Sequence, residues 1–385
     1  MQSTSALPPR RHRSARVRTG ATALGVAVLL AAGCATPAAA TETPPSSDAP
    51  PQPDATPAPA APPTAVPTPP GGEPADPDAT AAATALVVSR IAGVDRYDGA
   101  ARVSERMFPS GAERVYVASG ENYPDALSAG PAAVRQDAPL LLVQASGVPA
   151  ATAAELRRLR PSEVILVGGT ASVPGPVLTA LKKVVPGATV TRIAGPDRYA
   201  VSRAVVDQAF PTAIQAYVAT GADFPDALSA GAAAGSARGP VVLVDGTAPF
   251  VNAPTLDLFR SLRTSTIAIA GGLASVSSGV ENSLKRVATV DRSSGPDRYT
   301  GSLALNREAF LTSDTIYLAT GQGFADALVG DVIAGRDYAP LYLVPGTCVP
   351  RGVLDEANRL RATKVVLLGG LGSLSAEVES LKPCP

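Results

Sequence analysis

Histidine is nearly missing from this sequence, and its single copy is His12. If the segment around His12 is removed on export, as argued below, no imidazole remains. That would exclude Ser-His-Asp and Cys-His catalysis, and histidine-ligated zinc with them. Tryptophan is absent, and aromatics are 4% of the 385 residues, which weakens a reading built on broad aromatic sugar platforms. Net charge is missing too: 33 Lys and Arg balance 33 Asp and Glu. The chain therefore has no bulk electrostatic footprint for a nucleic-acid partner. What it has in excess is proline, 38 residues, roughly twice the usual share of about 5%.

The N-terminus reads as an address. Arg10, Arg11, Arg13, Arg16 and Arg18 precede an apolar run from Ala21 to Ala32. That run is shorter than the about 20 residues of a membrane span, and its basic flank matches an export signal, placed at 1–33. Two cleavage sites compete. Leu30-Ala31-Ala32-Gly33-Cys34 resembles a bacterial lipobox, with Cys34 lipidated and held at the membrane; Ala38-Ala39-Ala40 fits ordinary signal peptidase. The lipobox is slightly favoured. Residues 34–85 follow as a Pro, Ala and Thr-rich linker with no Lys, Arg or aromatic residue. Its six acids are Glu42, Asp48, Asp54, Glu73, Asp76 and Asp78. It cannot bury a core, so disorder with polyproline character is expected, reaching at most roughly 160 Å. Cys348 and Cys384 lie close to the C-terminus, and Cys34 is the odd one of three cysteines. A Cys348–Cys384 disulfide in an oxidising location outside the cytoplasm is expected.

The rest of the chain is one text written three times. Arg90-Ile91-Ala92-Gly93-Val94-Asp95-Arg96-Tyr97 recurs as Arg192-Ile193-Ala194-Gly195-Pro196-Asp197-Arg198-Tyr199, and again as Arg292-Ser293-Ser294-Gly295-Pro296-Asp297-Arg298-Tyr299. A second string runs from Tyr116 to Gly120 and on through Tyr123-Pro124-Asp125-Ala126-Leu127. It returns at Tyr217 with Phe224-Pro225-Asp226, and at Tyr317 with Phe324-Ala325-Asp326. Each copy ends on an apolar run into Gly168-Gly169, Gly271-Gly272 or Gly369-Gly370. A period of about 100 residues is a small domain, not a solenoid unit. The expected modules are 86–187, 188–287 and 288–385. Within a copy, four-residue apolar runs such as Leu140–Val143 alternate with helical patterns such as Tyr97–Phe108. That predicts α/β modules with parallel, doubly covered sheets.

Each repeated position has a structural and a functional reading. Asp95, Asp197 and Asp297 precede helical patterns, where N-capping is the first expectation. Arg96, Arg198 and Arg298 could pair with a carboxylate or hold an anionic polymer. Tyr97, Tyr199 and Tyr299 read as packing at the core edge before they read as sugar platforms. Asp125, Asp226 and Asp326 follow a strand, at the end of a parallel sheet where such folds place ligands. The third copy departs there, with Ala325 for Pro and Val329 for Ser, which points to an altered site.

These strings resemble the cell-wall-binding repeat 2 family of Gram-positive bacteria, over about Ser89 to Lys382. The resemblance implies three Toprim-like modules in a pseudo-threefold disc. It also implies noncovalent, S-layer-like anchoring to an anionic cell-wall polysaccharide or peptidoglycan-linked polymer. The three copies and the linker account for the chain, so a non-catalytic, extracellular binding protein without metal or cofactor is expected. Two alternatives stand beside it: a metal-dependent, amidase-like wall hydrolase using Asp125-type carboxylates, and a small-solute-binding lipoprotein.

Overall fold

The computed structural model describes residues 86–385. The export segment, Cys34 and the linker lie outside the described residues. The first repeat contributes β1 (Val87–Ile91), α1 (Arg96–Met107), β2 (Arg114–Ser119), α2 (Ala129–Arg135), β3 (Leu140–Val143), α3 (Ala150–Leu159), β4 (Glu163–Val167) and α4 (Gly175–Val184). The second contributes β5 (Thr189–Ile193), α5 (Arg198–Ala209), β6 (Gln215–Thr220), α6 (Pro225–Ser236), β7 (Val241–Val244), α7 (Ala253–Ser261), β8 (Thr266–Ala270) and α8 (Ser278–Leu284). The third contributes β9 (Thr289–Ser293), α9 (Arg298–Ala309), β10 (Thr315–Thr320), α10 (Ala325–Arg336), β11 (Leu341–Val344), α11 (Arg351–Leu360), β12 (Lys364–Leu368) and α12 (Ala376–Glu379).

These strands make three four-stranded, wholly parallel sheets, as the alternation of apolar runs and helical patterns predicts. The central strands β2, β4, β6, β10 and β12 are buried along almost their whole length, and β3, β7 and β11 beside them are buried throughout, as strands covered by helices are. The strand orders are β3-β2-β4-β5, β7-β6-β8-β9 and β11-β10-β12-β1. Sheets and sequence repeats are thus offset by one strand. β5 and β9 each complete the sheet of the repeat before them, and β1 completes the sheet of the last repeat, with Val87 opposite Lys364 and Ile91 opposite Leu368. The boundaries 187/188 and 287/288 fall between a sheet and its fourth strand.

The three modules meet through α2, α6 and α10, which pack on one another about a pseudo-threefold axis. Their sequences, Ala-Gly-Pro-Ala-Ala, Ala-Gly-Ala-Ala-Ala-Gly and Val-Gly-Asp-Val-Ile-Ala-Gly, leave little side chain between backbones. Two layers break the threefold symmetry in the same way. Gly130 and Gly231 face Asp331, and Gly235 and Gly335 face Val134, so each layer holds one larger side chain and two glycines. At the third module's outer end, where α12 is only four residues long, Cys348 and Cys384 form the expected disulfide.

Candidate junction clefts

The first acid of each repeat is a helix cap. Asp95 accepts from the amides of Tyr97 and Asp98, Asp197 from Ala200, and Asp297 from Tyr299 and Thr300. Hydrogen bonds from the Thr300 backbone hold the Asp297 carboxyl below its usual range. The neighbouring arginines clamp backbone. Arg96 Nη1 donates to the Gly120 carbonyl at 2.6 Å, Arg198 to Gly221 at 2.5 Å, and Arg298 to Gly321 at 2.6 Å. The tyrosine rings pack against those same glycines: a Cβ at Gly120, Gly221 or Gly321 would collide with Tyr97, Tyr199 or Tyr299. That explains why glycine recurs at 120, 221 and 321.

The second acid sits at the carboxyl end of its sheet, against the Gly-Gly turn. Ser172 Oγ donates to Asp125 at 2.5 Å and Ser373 Oγ to Asp326 at 2.8 Å, while Ser275 stands beside Asp226. Burial pushes the Asp226 and Asp326 carboxyls up, and the serines pull the other way. The first glycine of each pair has positive φ, +120° at Gly168, +112° at Gly271 and +108° at Gly369, and its missing Cβ is where the aspartate carboxylate lies. The turn and the acid therefore require each other.

Because of the strand offset, each cleft is built by two repeats. Arg192 Nη1 of the second repeat donates to the Gly168 carbonyl of the first, Arg292 to Gly271, and Arg90 to Gly369. The cleft where the third repeat meets the first has a volume of about 490 Å³. Asp326, Ser373 and Gly370 line it from one side, Gly93, Asp95 and Arg96 from the other. The cleft between the second and third, with Asp226, Ser275, Asp297 and Arg298, measures about 240 Å³. Beside the clefts, Tyr123, Phe224 and Phe324 form an aromatic trio, with ring centroids 5.3, 5.8 and 6.3 Å apart. Arg96 lies over Phe324 at 5.6 Å and Arg298 over Phe224 at 5.5 Å, each reaching from one repeat to the one before it around the ring.

The structure therefore brings together, where the third repeat meets the first and the second meets the third, the first acid and arginine of one repeat and the second acid of its neighbour. The tyrosines pack at the core edge against Gly120, Gly221 and Gly321, and Tyr199 also lines a separate cleft. Three contributors carried no role in the sequence reading. They are the serines, always four residues after the first glycine of the pair, the arginines opening the first string, and the aromatic before Pro-Asp or Ala-Asp. The constant offset of the serine was the available signal. Among the described residues, no three His, Cys, Asp or Glu side chains gather as metal ligands.

Comparison with known proteins fits this architecture. The chain is 27% identical over 291 residues to N-acetylmuramoyl-L-alanine amidase LytC of Bacillus subtilis (strain 168), covering 76% of this chain and 57% of LytC. It is 28% identical over 294 residues to the amidase enhancer of the same organism, covering 76% of this chain and 40% of that one. The chain thus spans about half the length of these curated relatives. Among solved structures it is similar to Cwp6 from Clostridium difficile, with a TM-score of 0.71 and 26% identity over 78% of this chain and 48% of Cwp6. Cwp8 from the same organism shares the fold, with a TM-score of 0.70 and 24% identity over 77% of this chain and 51% of Cwp8. The profile described as cell wall binding domain 2 (CWB2) matches residues 90–178, 192–281 and 292–379, and the chain belongs to this family of cell-wall-binding repeats.

Proposed function

We propose that this is an exported, non-catalytic protein that holds an anionic glycopolymer of the cell wall at the junctions of its three repeats. The observation that carries the reading is the threefold recurrence of one arrangement, an Asp–Ser pair against a Gly-Gly turn held by an arginine of the next repeat, which opens into a cleft at the junctions around Asp226 and Asp326. A glycan is itself a repeat. Three modest sites on one rigid frame raise the effective concentration of each for its neighbours along the polymer. The parts suit a charged sugar: carboxylate and serine for hydroxyls, guanidinium for an acidic group, and a phenyl ring at the rim. The export segment at 1–33 and the linker at 34–85, with Cys34 lipidated or the chain cut after Ala40, would place the domain outside the cell.

Sedimentation of the full chain with purified Gram-positive wall sacculi tests this. Retention that falls sharply after mild acid removes the secondary polymers is expected. Retention unchanged by stripping, or no retention, overturns the anionic-polymer reading. The name of the amidase relative favours a second reading, wall hydrolysis centred on Asp226 and its equivalents. Release of soluble muropeptides by the chain, abolished in Asp226→Ala, would establish it in place of the first.

A further inference from the structure

The second repeat carries a loop that the other two lack. Asn252 caps α7 eight positions after Val244 ends β7, whereas Pro149 and Pro350 follow Val143 and Val344 by six. The extra length includes Pro249 and Phe250. Its base is firmly held. Ser277 Oγ donates to the Ala248 carbonyl at 2.7 Å, and the Ser277 amide donates to Gly246 at 2.8 Å. Gly279 has no Cβ where the Pro249 carbonyl packs. Asp245 Oδ1 accepts from the Thr247 amide and hydroxyl at 3.1 and 2.8 Å.

A loop fastened this way does not use Phe250 for its own packing, and the ring is 63% exposed. It forms one wall of a cleft of about 270 Å³, and Tyr199 forms another. The polar side chains lining the cleft are Tyr199, Asp245, Asn252 and Thr255, and Arg203 Nη1 donates to Thr255 Oγ1 at 3.2 Å. Asn252 Oδ1 is occupied by the Thr255 amide, which leaves its Nδ2 donors for a ligand. The volume lies just under the roughly 300–1,000 Å³ of pockets for drug-sized molecules, so one ring of a longer polymer is the natural occupant. Tyr199 directly follows Arg198, and the cleft opens at the carboxyl end of β7, the same end of the sheets as the junction clefts.

We infer that the Phe250–Tyr199 cleft is an additional subsite, belonging to this repeat alone, that stacks one uncharged pyranose residue of the wall glycan. The inference rests on the wall-glycan reading above. The two rings supply apolar faces for the C–H surface of the sugar. Asp245 accepts from its hydroxyls and disfavours an anionic substituent, while Asn252 donates to a ring or hydroxyl oxygen. The repeated clefts then bind charged units, and this subsite reads the neutral sugar beside them.

The absence of tryptophan gives a clean test. In the full chain, Phe250→Ala should keep its thermal midpoint, because the side chain is exposed, and lose about tenfold in affinity for wall sacculi. Phe250→Trp should change its emission on titration with soluble glycan fragments released from those sacculi. Leu311→Trp, at an 80% exposed position on the far end, should not. Wild-type retention together with unchanged Phe250→Ala affinity, or Trp emission that responds alike at both positions, overturns the subsite while leaving wall binding intact. Failure of the wild-type chain to bind sacculi overturns the wall-glycan reading itself.

Discussion

The Arg90 guanidinium donates to the carbonyl of Gly369 at 2.8 Å, across 279 positions of sequence. Arg192 and Arg292 make the same bond to Gly168 and Gly271 across 24 and 21. The contact that closes the ring is therefore chemically the same as those that run along it. It follows that the folding unit is shifted from the sequence repeat. A segment of residues 94–196 holds α1 to β5 and so a whole four-stranded sheet, whereas 86–187 carries β1 without its partner β12 and lacks β5. The first segment should melt cooperatively by circular dichroism and the second should not. Equal cooperativity would show that the exchanged strand is dispensable.

The offset explains what was legible in the sequence. Runs buried on both faces, such as Leu140–Val143 and Val164–Val167, declare themselves by continuous apolarity, and each is a strand. β1, β5 and β9 read Val-Val-Ser-Arg-Ile, Thr-Val-Thr-Arg-Ile and Thr-Val-Asp-Arg-Ser, edge strands with alternating exposure. Their alternation is a short and half-exposed signal, and their place at the edge of the preceding repeat's sheet around the ring is set by the fold. Asp125, Asp226 and Asp326 lie at the sheet end, where the chain passes from the glycine that closes a strand to the helix that follows. The serine that meets each acid belongs to a different loop, 47 residues away for Asp125 and Asp326, and only the fold joins them.

The Gly-Gly turns offer a paired substitution. Gly369→Ala places a Cβ at φ +108° and drives it into the Asp326 carboxylate. Left-handed strain and the displaced acid together should destabilise by about 1–3 kcal/mol and weaken wall retention. Gly370→Ala meets only the Gly93 carbonyl at 3.9 Å and should be near neutral. Thermal melts of the two variants check this, and equal midpoints would refute the steric argument.

On the axis, Asp331 is 1% exposed, and among the described residues no side chain pairs with its carboxyl, the Ala232 backbone being the one group that favours its charged form. Burial pushes its pKa well above the usual carboxylate value. The native state then holds a proton that the unfolded chain releases. This contribution to stability is complete below the unfolded value and declines as pH rises towards the folded one, by up to about 1.4 kcal/mol per unit. Asp331→Asn cannot ionise and should flatten that slope, with a higher midpoint than wild type at neutral pH. Chemical denaturation from pH 4 to 8 measures it, and parallel curves would show Asp331 to be silent.

The disulfide has a local task. α12 is one turn long where α4 has ten residues, and Cys348–Cys384 ties its far side back to the loop before α11. The bond closes a span of 36 residues, and such a span constrains the unfolded chain by about 4 kcal/mol in the entropic picture. Cys384→Ser should lower the calorimetric midpoint by several degrees. A reductant should have the same effect on wild type and none on the variant.

The clefts should contribute unequally to binding. Where the third repeat meets the first, Ala325 replaces the proline found at 124 and 225, and the space is about 490 Å³ against about 240 Å³ around Asp226. Both acids are pushed up by burial, so replacing either with asparagine removes a charge that folding disfavours and leaves the fold intact. What it removes is an anionic acceptor for a sugar hydroxyl, and the larger cleft admits more of the ligand to that acceptor. Asp326→Asn should therefore reduce sacculus retention more than Asp226→Asn, with both variants melting no lower than wild type. The reverse order would mean that the tighter cleft makes the better contact and that the alanine marks a weakened site.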